Sequence, residues 1–278
     1  MAVPPLEVLV SAGFDVAGVV TRIDKRRGRG SDLAPSPVKA AAQRLGLPVV
    51  HTVDDALAFE AELGVVVAFG QLVKPHVLAV LPMVNLHFSL LPRWRGAAPV
   101  ERAFLAGDDV TGVCLMQLEA GLDSGAVFDR AEVAIGADIT GDELRRRLVD
   151  VGTELLVRSL TTGLGSPTPQ QGEPTYAAKI SSAELRLDWT RPAVERHRMV
   201  RLGGAWTTFR DKRLKVVAAE LVDPAATGST AVGGTDRGID GGTVGGLRLV
   251  TVQPEGTAPM PWPDFANGNR PRPDEVLV

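Results

Sequence analysis

Three side chains in the stretch 84–128, VNLHFSLLPRWRGAAPVERAFLAGDDVTGVCLMQLEAGLDSGAVF, have types and spacing that could do chemistry together. Asn85 and His87 stand two apart at the end of an apolar run, and on a strand such positions face the same side. Asp123 lies between Gly121 and Gly125 in AGLDSG, a turn whose glycines let the backbone pass close to a ligand. An amide, an imidazole and a carboxylate suit acyl transfer to an amine. The amide or a protonated imidazole stabilises charge building on the acyl oxygen. The imidazole carries the proton the amine loses, and the carboxylate orients it and raises its pKa. No serine or cysteine beside a base is evident, which favours direct transfer over a covalent acyl-enzyme. On spacing alone, a hydrogen-bonded strand-end pair without a catalytic role is the more frequent meaning of Asn85 and His87.

Positioning these groups requires a scaffold, and the N-terminal half alternates between strand and helix patterns. Strands are predicted at 16–20, 47–50, 65–69, 84–88, 112–118 and 126–133. Helices are predicted at 38–45, opened by Ser36-Pro37, and at 54–63, 72–81 and 98–106. Thr140 with Glu143 forms a capping box ahead of a long helix ending near Leu160. Apolar runs alternating with helices imply an α/β domain with a mostly parallel sheet, and such sheets bind ligands at the carboxyl ends of their strands. Residues 163–174, GLGSPTPQQGEP, read as a linker or long crossing loop. Beyond them, short strands at 214–219, 229–232 and 247–252, separated by turns and without matching helices, suggest a small barrel or sandwich.

The 278 residues carry 30 Lys+Arg and 33 Asp+Glu, a net charge of −3, which excludes a histone-like polycation. The balance is uneven. Residues 1–174 have a net charge of −5 and residues 175–278 one of +2, while 179–215 hold 10 basic and 4 acidic residues. Arg22, Lys25, Arg26, Arg27 and Arg29 form a second basic patch opposed only by Asp24. Each patch alone suits a solvated surface; two together suit contact with a polyanion. A single cysteine, Cys114, and 4 scattered histidines argue against a disulfide or a structural metal. No apolar run of membrane-spanning length and no signal-peptide pattern is present, so a soluble, cytoplasmic protein is expected.

The Asn-x-His pair, the Ser-Leu-Leu-Pro loop after it and the downstream Leu-Asp-Ser-Gly together resemble the signature of the folate-dependent formyltransferases. The longer SLLPRWRGAAPVERA is similar to the members that act on methionyl-tRNA. That resemblance implies Asn85, His87 and Asp123 as the catalytic trio, with Ser89, Leu90, Leu91 and Pro92 as a loop contacting the folate. It implies 10-formyltetrahydrofolate as formyl donor, initiator Met-tRNA as acceptor, and a monomer with no metal. Segment 24–42 is similar to the basic loop this family uses against the tRNA acceptor arm, so Arg22, Lys25, Arg26, Arg27 and Arg29 are implied as tRNA contacts. Segments 175–189, 204–216 and 252–256 resemble the family's second domain, an OB-like β-barrel. The implied organisation is a Rossmann-like catalytic domain at 1–165, a linker at 166–184 and a tRNA-binding domain at 185–278.

Two departures accompany the resemblance. The family ordinarily begins with an apolar strand and a Gly-Thr-Pro-Glu-Phe turn ahead of the segment matching Ala2-Val3-Pro4. The sheet is therefore expected to lack a strand, through a start recorded too late or as a destabilised, inactive form. Phe88 replaces a smaller residue and is expected to point away from Asn85 and His87. Two alternatives stand beside the main one: the same chemistry on a nucleotide sugar or other small amine, and an inactive RNA-binding remnant. Arg93, Trp94 and Arg95 suit either a surface turn or the acceptor's 3′ end. His51, His76 and His197 show no partner pattern, and Cys114 and Trp206 are expected in cores.

Overall fold

The computed structural model describes residues 1–26, 33–222, 242–272 and 275–278. Residues 1–100, 110–134 and 145–178 form one compact unit; residues 101–109, 135–144 and 179–278 form a second.

In chain order the elements of the N-terminal half are α1 (Val3–Ser11), β1 (Val19–Val20), β2 (Lys25–Arg26), β3 (Leu33–Ala34), α2 (Pro37–Arg44), β4 (Val49–Val50), β5 (Gly64–Val67), α3 (Pro75–Leu78) and β6 (Met83–His87). They are followed by β7 (Arg95–Gly96), α4 (Pro99–Ala106), β8 (Val110–Gln117), β9 (Val127–Ala134), α5 (Gly141–Thr162) and β10 (Tyr176–Ala177). Helix α2 starts where Ser36-Pro37 predicts. The Ser36 hydroxyl accepts from the Lys39 amide at 3.0 Å, and Pro37 fills a first-turn position that needs no N–H donor. The helix predicted at 54–63 is reduced to a single 3₁₀ segment, Asp55–Phe59. It has no side-chain cap, and Glu60 closes it in the left-handed conformation. Only one turn, α3, forms within 72–81, beginning at Pro75, which tolerates no helical turn before it. The capping box opens α5: the Glu143 carboxylate accepts from the Thr140 amide and hydroxyl, and the Glu143 amide donates back to that hydroxyl at 3.3 Å.

Strands β1 and β4 pair in parallel, as do β5 and β6; β8 and β9 extend the second sheet antiparallel in the order β5-β6-β8-β9. Strand β6 is buried along its whole length between β5 and β8. Strands β1 and β5 each end a sheet. The Val19 and Thr21 amides bond toward β4, through Pro48 and Val50, and Gly64 bonds toward β6 through Pro82. By the alternation of a parallel ladder, Val20, Val65 and Val67 turn their backbone groups to the opposite edge. A cavity of about 760 Å³ lies along these edges, lined by Leu6, Leu9, Val19, Val20, Val66 and Met83 among others. A sheet short of one strand was the expectation; among the described residues no strand joins β1 to β5.

The second unit contains α6 (Ala193–Leu202), β11 (Trp206–Phe209), β12 (Lys212–Leu221), β13 (Thr243–Val244), β14 (Leu247–Pro254), β15 (Met260–Pro261) and α7 (Trp262–Asn269). Its strands are antiparallel, in the order β11-β12-β14-β13 with β15 on β14. Register shifts in β12 between Val216 and Ala219 curl this sheet into a half-barrel. Its core holds Leu187, Trp189, Val216, Val252, Trp262 and Phe265. Neither α6 nor α7 was foreseen. Helix α6 buries Arg196 and His197 beside Met199, Val200 and Leu202, so its inward face does not read as apolar. Arg196 lies 5.1 Å from the Trp189 ring and donates to the Gly245 carbonyl at 2.6 Å, which is how a guanidinium is kept inside. The strand predicted at 229–232 lies outside the described residues. No helix among them is long and apolar enough to cross a membrane.

Candidate active site

Strand β6 brings Asn85 and His87 to one side of the sheet, 9% and 5% exposed. The turn between β8 and β9 returns Asp123 to the same place. One oxygen of its carboxylate accepts from the Gly96 amide at 2.8 Å, and the other accepts from Asn85 Nδ2 at 3.4 Å. His87 Nδ1 stands 3.6 Å from Asp123 Oδ2. The three candidate catalytic residues are therefore together, although 38 positions separate the first from the last.

The tautomer of His87 follows from its other contact. Nε2 is 2.9 Å from the Trp94 carbonyl, which can only accept, so Nε2 carries the hydrogen. The neutral ring then presents its Nδ1 lone pair toward Asp123. Burial holds the pKa of His87 below its ordinary value, with Asp123 and then the Trp94 carbonyl pulling the other way. The expected influence of Asp123 has the right sign, but burial outweighs it. The result is an imidazole that is neutral at neutral pH, with its basic nitrogen beside a carboxylate that favours its protonated form. Asn85 makes only that one long side-chain hydrogen bond among the described residues, which leaves amide capacity for an incoming oxygen.

The segment after β6 supplies the other walls. Ser89 is fully buried and its hydroxyl donates to the Arg93 carbonyl at 2.6 Å. Leu91 packs with Cys114, Met116 and Val127. Leu90 and Pro92 stay partly exposed, so of the four candidate folate-loop residues these two have side chains to offer a ligand. Phe88 is buried. Backbone geometry is unusual here: Trp94, Gly96 and Asp123 all have positive φ, at 62°, 114° and 46°. Gly96 is required, because a Cβ there would crowd the Ala177 carbonyl at 3.1 Å while φ is already unfavourable for any L-residue.

The remaining candidates are distributed more widely. Lys25 and Arg26 are exposed on β2, Arg22 is half-buried just before it, and Asp24 is held by Lys39 at 2.8 Å. Arg27 and Arg29 lie outside the described residues. Arg95 donates from Nε and Nη2 to Gln170, at 3.1 and 2.7 Å, so it serves an internal contact instead of a phosphate. Arg93 lies 4.4 Å from the Trp94 ring. Cys114 is buried, as expected. His51 bonds the Thr21 carbonyl, His76 pairs with Asp54, and His197 bonds the Ala219 carbonyl. Trp206 differs from its expected place in a core: it is half-buried, with Arg213 and Arg186 4.3 and 5.5 Å from its ring.

Sequence reasoning missed the Trp94 carbonyl and the Gly96 amide because backbone groups carry no residue signature. It also missed Thr175, whose hydroxyl accepts from the Trp94 amide at 2.9 Å, and Gln170, both in or beside a stretch whose composition reads as loop.

Comparison with known proteins identifies the family. Residues 9–160 match the formyl transferase family, and residues 179–270 match the formyl transferase C-terminal domain. The methionyl-tRNA formyltransferase of Roseobacter denitrificans is 42% identical over 286 residues, covering 96% of this chain and 92% of that protein. The chain belongs to the methionyl-tRNA formyltransferase family. The family member from Symbiobacterium thermophilum is 43% identical over 288 residues, covering 95% of this chain and 88% of its own. Among solved structures, the sugar 3N-formyltransferase WlaRD, in the presence of dTDP and 5-N-formyl-THF, aligns with a TM-score of 0.64 and 16% identity. That alignment covers 92% of this chain and 95% of that one, and shows that formyltransferases with other acceptors share the fold.

Proposed function

We propose that this methionyl-tRNA formyltransferase family member transfers the formyl group of 10-formyltetrahydrofolate to the amino group of initiator Met-tRNA. The observation that carries the reading is His87, neutral and buried, with Nε2–H engaged by the Trp94 carbonyl and Nδ1 facing Asp123. The residues fit a folate donor: a buried amide with unused hydrogen-bonding capacity stands beside a loop with partly exposed Leu90 and Pro92. Bound there, the folate supplies the formyl group. Asn85 donates to the oxygen on which negative charge builds. As the amine nitrogen bonds to the formyl carbon and that carbon's bond to the donor nitrogen breaks, His87 Nδ1 takes the proton that the amine loses and passes it to the departing nitrogen, with Asp123 stabilising the imidazolium across 3.6 Å in between. Ser89, Leu90, Leu91 and Pro92 hold the donor, the buried pair by shaping the loop.

Acceptor binding is assigned to Arg22, Lys25 and Arg26, with Arg27 and Arg29, and to the domain at 185–278, following the catalytic domain at 1–165 and the linker at 166–184. Trp206 with Arg186 and Arg213 offers an aromatic face flanked by cations, a surface suited to nucleic acid. The enzyme is read as a cytoplasmic monomer that needs no metal. The test is formylation of Met-tRNA with 10-formyltetrahydrofolate across a salt series. A tRNA acceptor predicts affinity falling steeply with salt. Product with a salt-insensitive small amine, or none from folded protein, overturns the reading in favour of another acceptor or an inactive RNA-binding protein.

A further inference from the structure

We propose that Gln170 is a positioning residue for Asp123, acting through a closed ring of hydrogen bonds; this rests on the catalytic role proposed for Asp123. The Gln170 side chain uses both ends of its amide. Nε2 donates to the carbonyls of Asp123 and Gly125, each at 2.8 Å, and Oε1 accepts from Arg95 Nε and Nη2 at 3.1 and 2.7 Å. The next residue after Arg95 is Gly96, whose amide donates to the Asp123 carboxylate at 2.8 Å. The ring therefore runs from Gln170 to the Asp123 backbone, through its side chain to Gly96, and back through Arg95.

The ring grips both the backbone and the side chain of Asp123. Asp123 sits at φ 46°, in the left-handed region, which costs an L-residue free energy, although aspartate tolerates it better than most. Gly125 has no room for a side chain against the Gln117 carbonyl, so the turn cannot shift toward β8. Gln170 is itself anchored on both sides. Thr168 exchanges two 2.8 Å backbone hydrogen bonds with Val127, and Thr175 bonds both Pro92 and Arg95 through its backbone while its hydroxyl takes the Trp94 amide. The guanidinium polarises the amide it donates to, which strengthens the amide's own donation to the two carbonyls. Removing Gln170 releases the Asp123 backbone while leaving Asn85 and His87 on β6 untouched. The expected consequence is a carboxylate displaced from His87 Nδ1, and a displacement of about 1 Å costs about 10²-fold in rate.

Gln170→Met, similar in length but without the hydrogen bonds, is compared with wild type and with Gln170→Glu, which keeps the acceptor for Arg95 but turns oxygens on both carbonyls. The expected result for both is a kcat lowered roughly 10- to 100-fold with each KM within about twofold. In an Asp123→Asn background, Gln170→Met should add less than about threefold, because the residue through which it acts is already impaired. A second readout needs no acceptor: the His87 ring titration followed by NMR should move to lower pH in Gln170→Met, since Asp123 is the charged group that raises it. Full activity in folded Gln170→Met, losses that multiply with Asp123→Asn, or an unmoved His87 titration overturns the proposal. Absence of product from wild type overturns the assigned reaction instead, and the titration still decides the role of Gln170. If Gln170→Met does not fold, Gln170→Asn, too short to reach both sides, serves for every measurement.

Discussion

Replacing Asp123 by asparagine separates its charge from its shape. The variant keeps an oxygen for the Gly96 amide, now 2.8 Å from a carboxylate oxygen, which places its NH₂ at the position that now accepts from Asn85. Loss of the charge-assisted character of that bond costs about 1 kcal/mol of stability. The effect on chemistry is larger. A unit charge 3.6 Å from His87 Nδ1 stabilises the imidazolium by roughly 4–5 kcal/mol at an effective dielectric of about 20. The asparagine dipole recovers part of this, so a loss of about 3–4 kcal/mol at the transition state is expected. At 1.36 kcal/mol per tenfold, kcat falls about 10²- to 10³-fold. Single-turnover formylation at saturating donor and acceptor reads the chemical step, and urea denaturation reads the fold. A folded Asp123→Asn protein turning over within about threefold of wild type would falsify the electrostatic role.

Four further outcomes are expected. Because burial depresses the His87 pKa, the acidic limb of the kcat/KM profile should fall below pH 6.5, and a limb at or above that value contradicts a buried neutral base. The linkage has the same sign: the unfolded chain takes up this proton first, so the contribution of His87 to stability is intact above pH 6.5 and lost as pH falls toward its folded pKa, measurable as a falling Tm. Thr140→Ala removes the hydroxyl of the capping box and should cost about 1 kcal/mol in urea denaturation with kcat unchanged; a neutral substitution would mean the cap does not support α5. In hydrogen exchange, the amides of Val20, Val65 and Val67 should exchange much faster than those of Val19 and Gly64, and equal protection would mean that the two open edges are covered.

The parts of this protein legible in its sequence are those in which a side chain acts locally. Ser36-Pro37 and Thr140 with Glu143 announce helix starts because capping is a contact three residues long. Asn85 and His87 share a face because strand periodicity forces it, and Asp123 stands out between its glycines. What was not legible depends on contacts distant in the chain. Gln170 reaches Asp123 across 47 positions and Arg95 across 75, and nothing in TPQQGEP marks which glutamine does so. The tautomer of His87 is set by a backbone carbonyl, which any residue at position 94 would carry. Helix α6 hid because Arg196 and His197 occupy its buried face, where Arg196 meets the Trp189 ring and the Gly245 carbonyl and His197 the Ala219 carbonyl, while Nε and Nη1 of Arg196 have no hydrogen-bond partner among the described residues. The 54–63 helix failed for the opposite reason: a helical pattern without a cap is overridden when Glu60 turns left-handed ahead of β5.

The cavity between β1 and β5 has a thermodynamic consequence. In a closed sheet every strand pairing is intramolecular, and stability does not depend on what else is in solution. Among the described residues the edges at Val20, Val65 and Val67 face a slot of about 760 Å³, so an extended apolar segment entering it, from this protein or another, can satisfy both edges. Filling the slot is then an association equilibrium, and the gain in stability follows mass action, about 2.7 kcal/mol at a ligand concentration 100 times its Kd. For the described chain, the melting temperature becomes a titratable quantity. The same geometry sets two identical outcomes in competition: a strand that completes the sheet, and the open edge of another molecule that begins an aggregate.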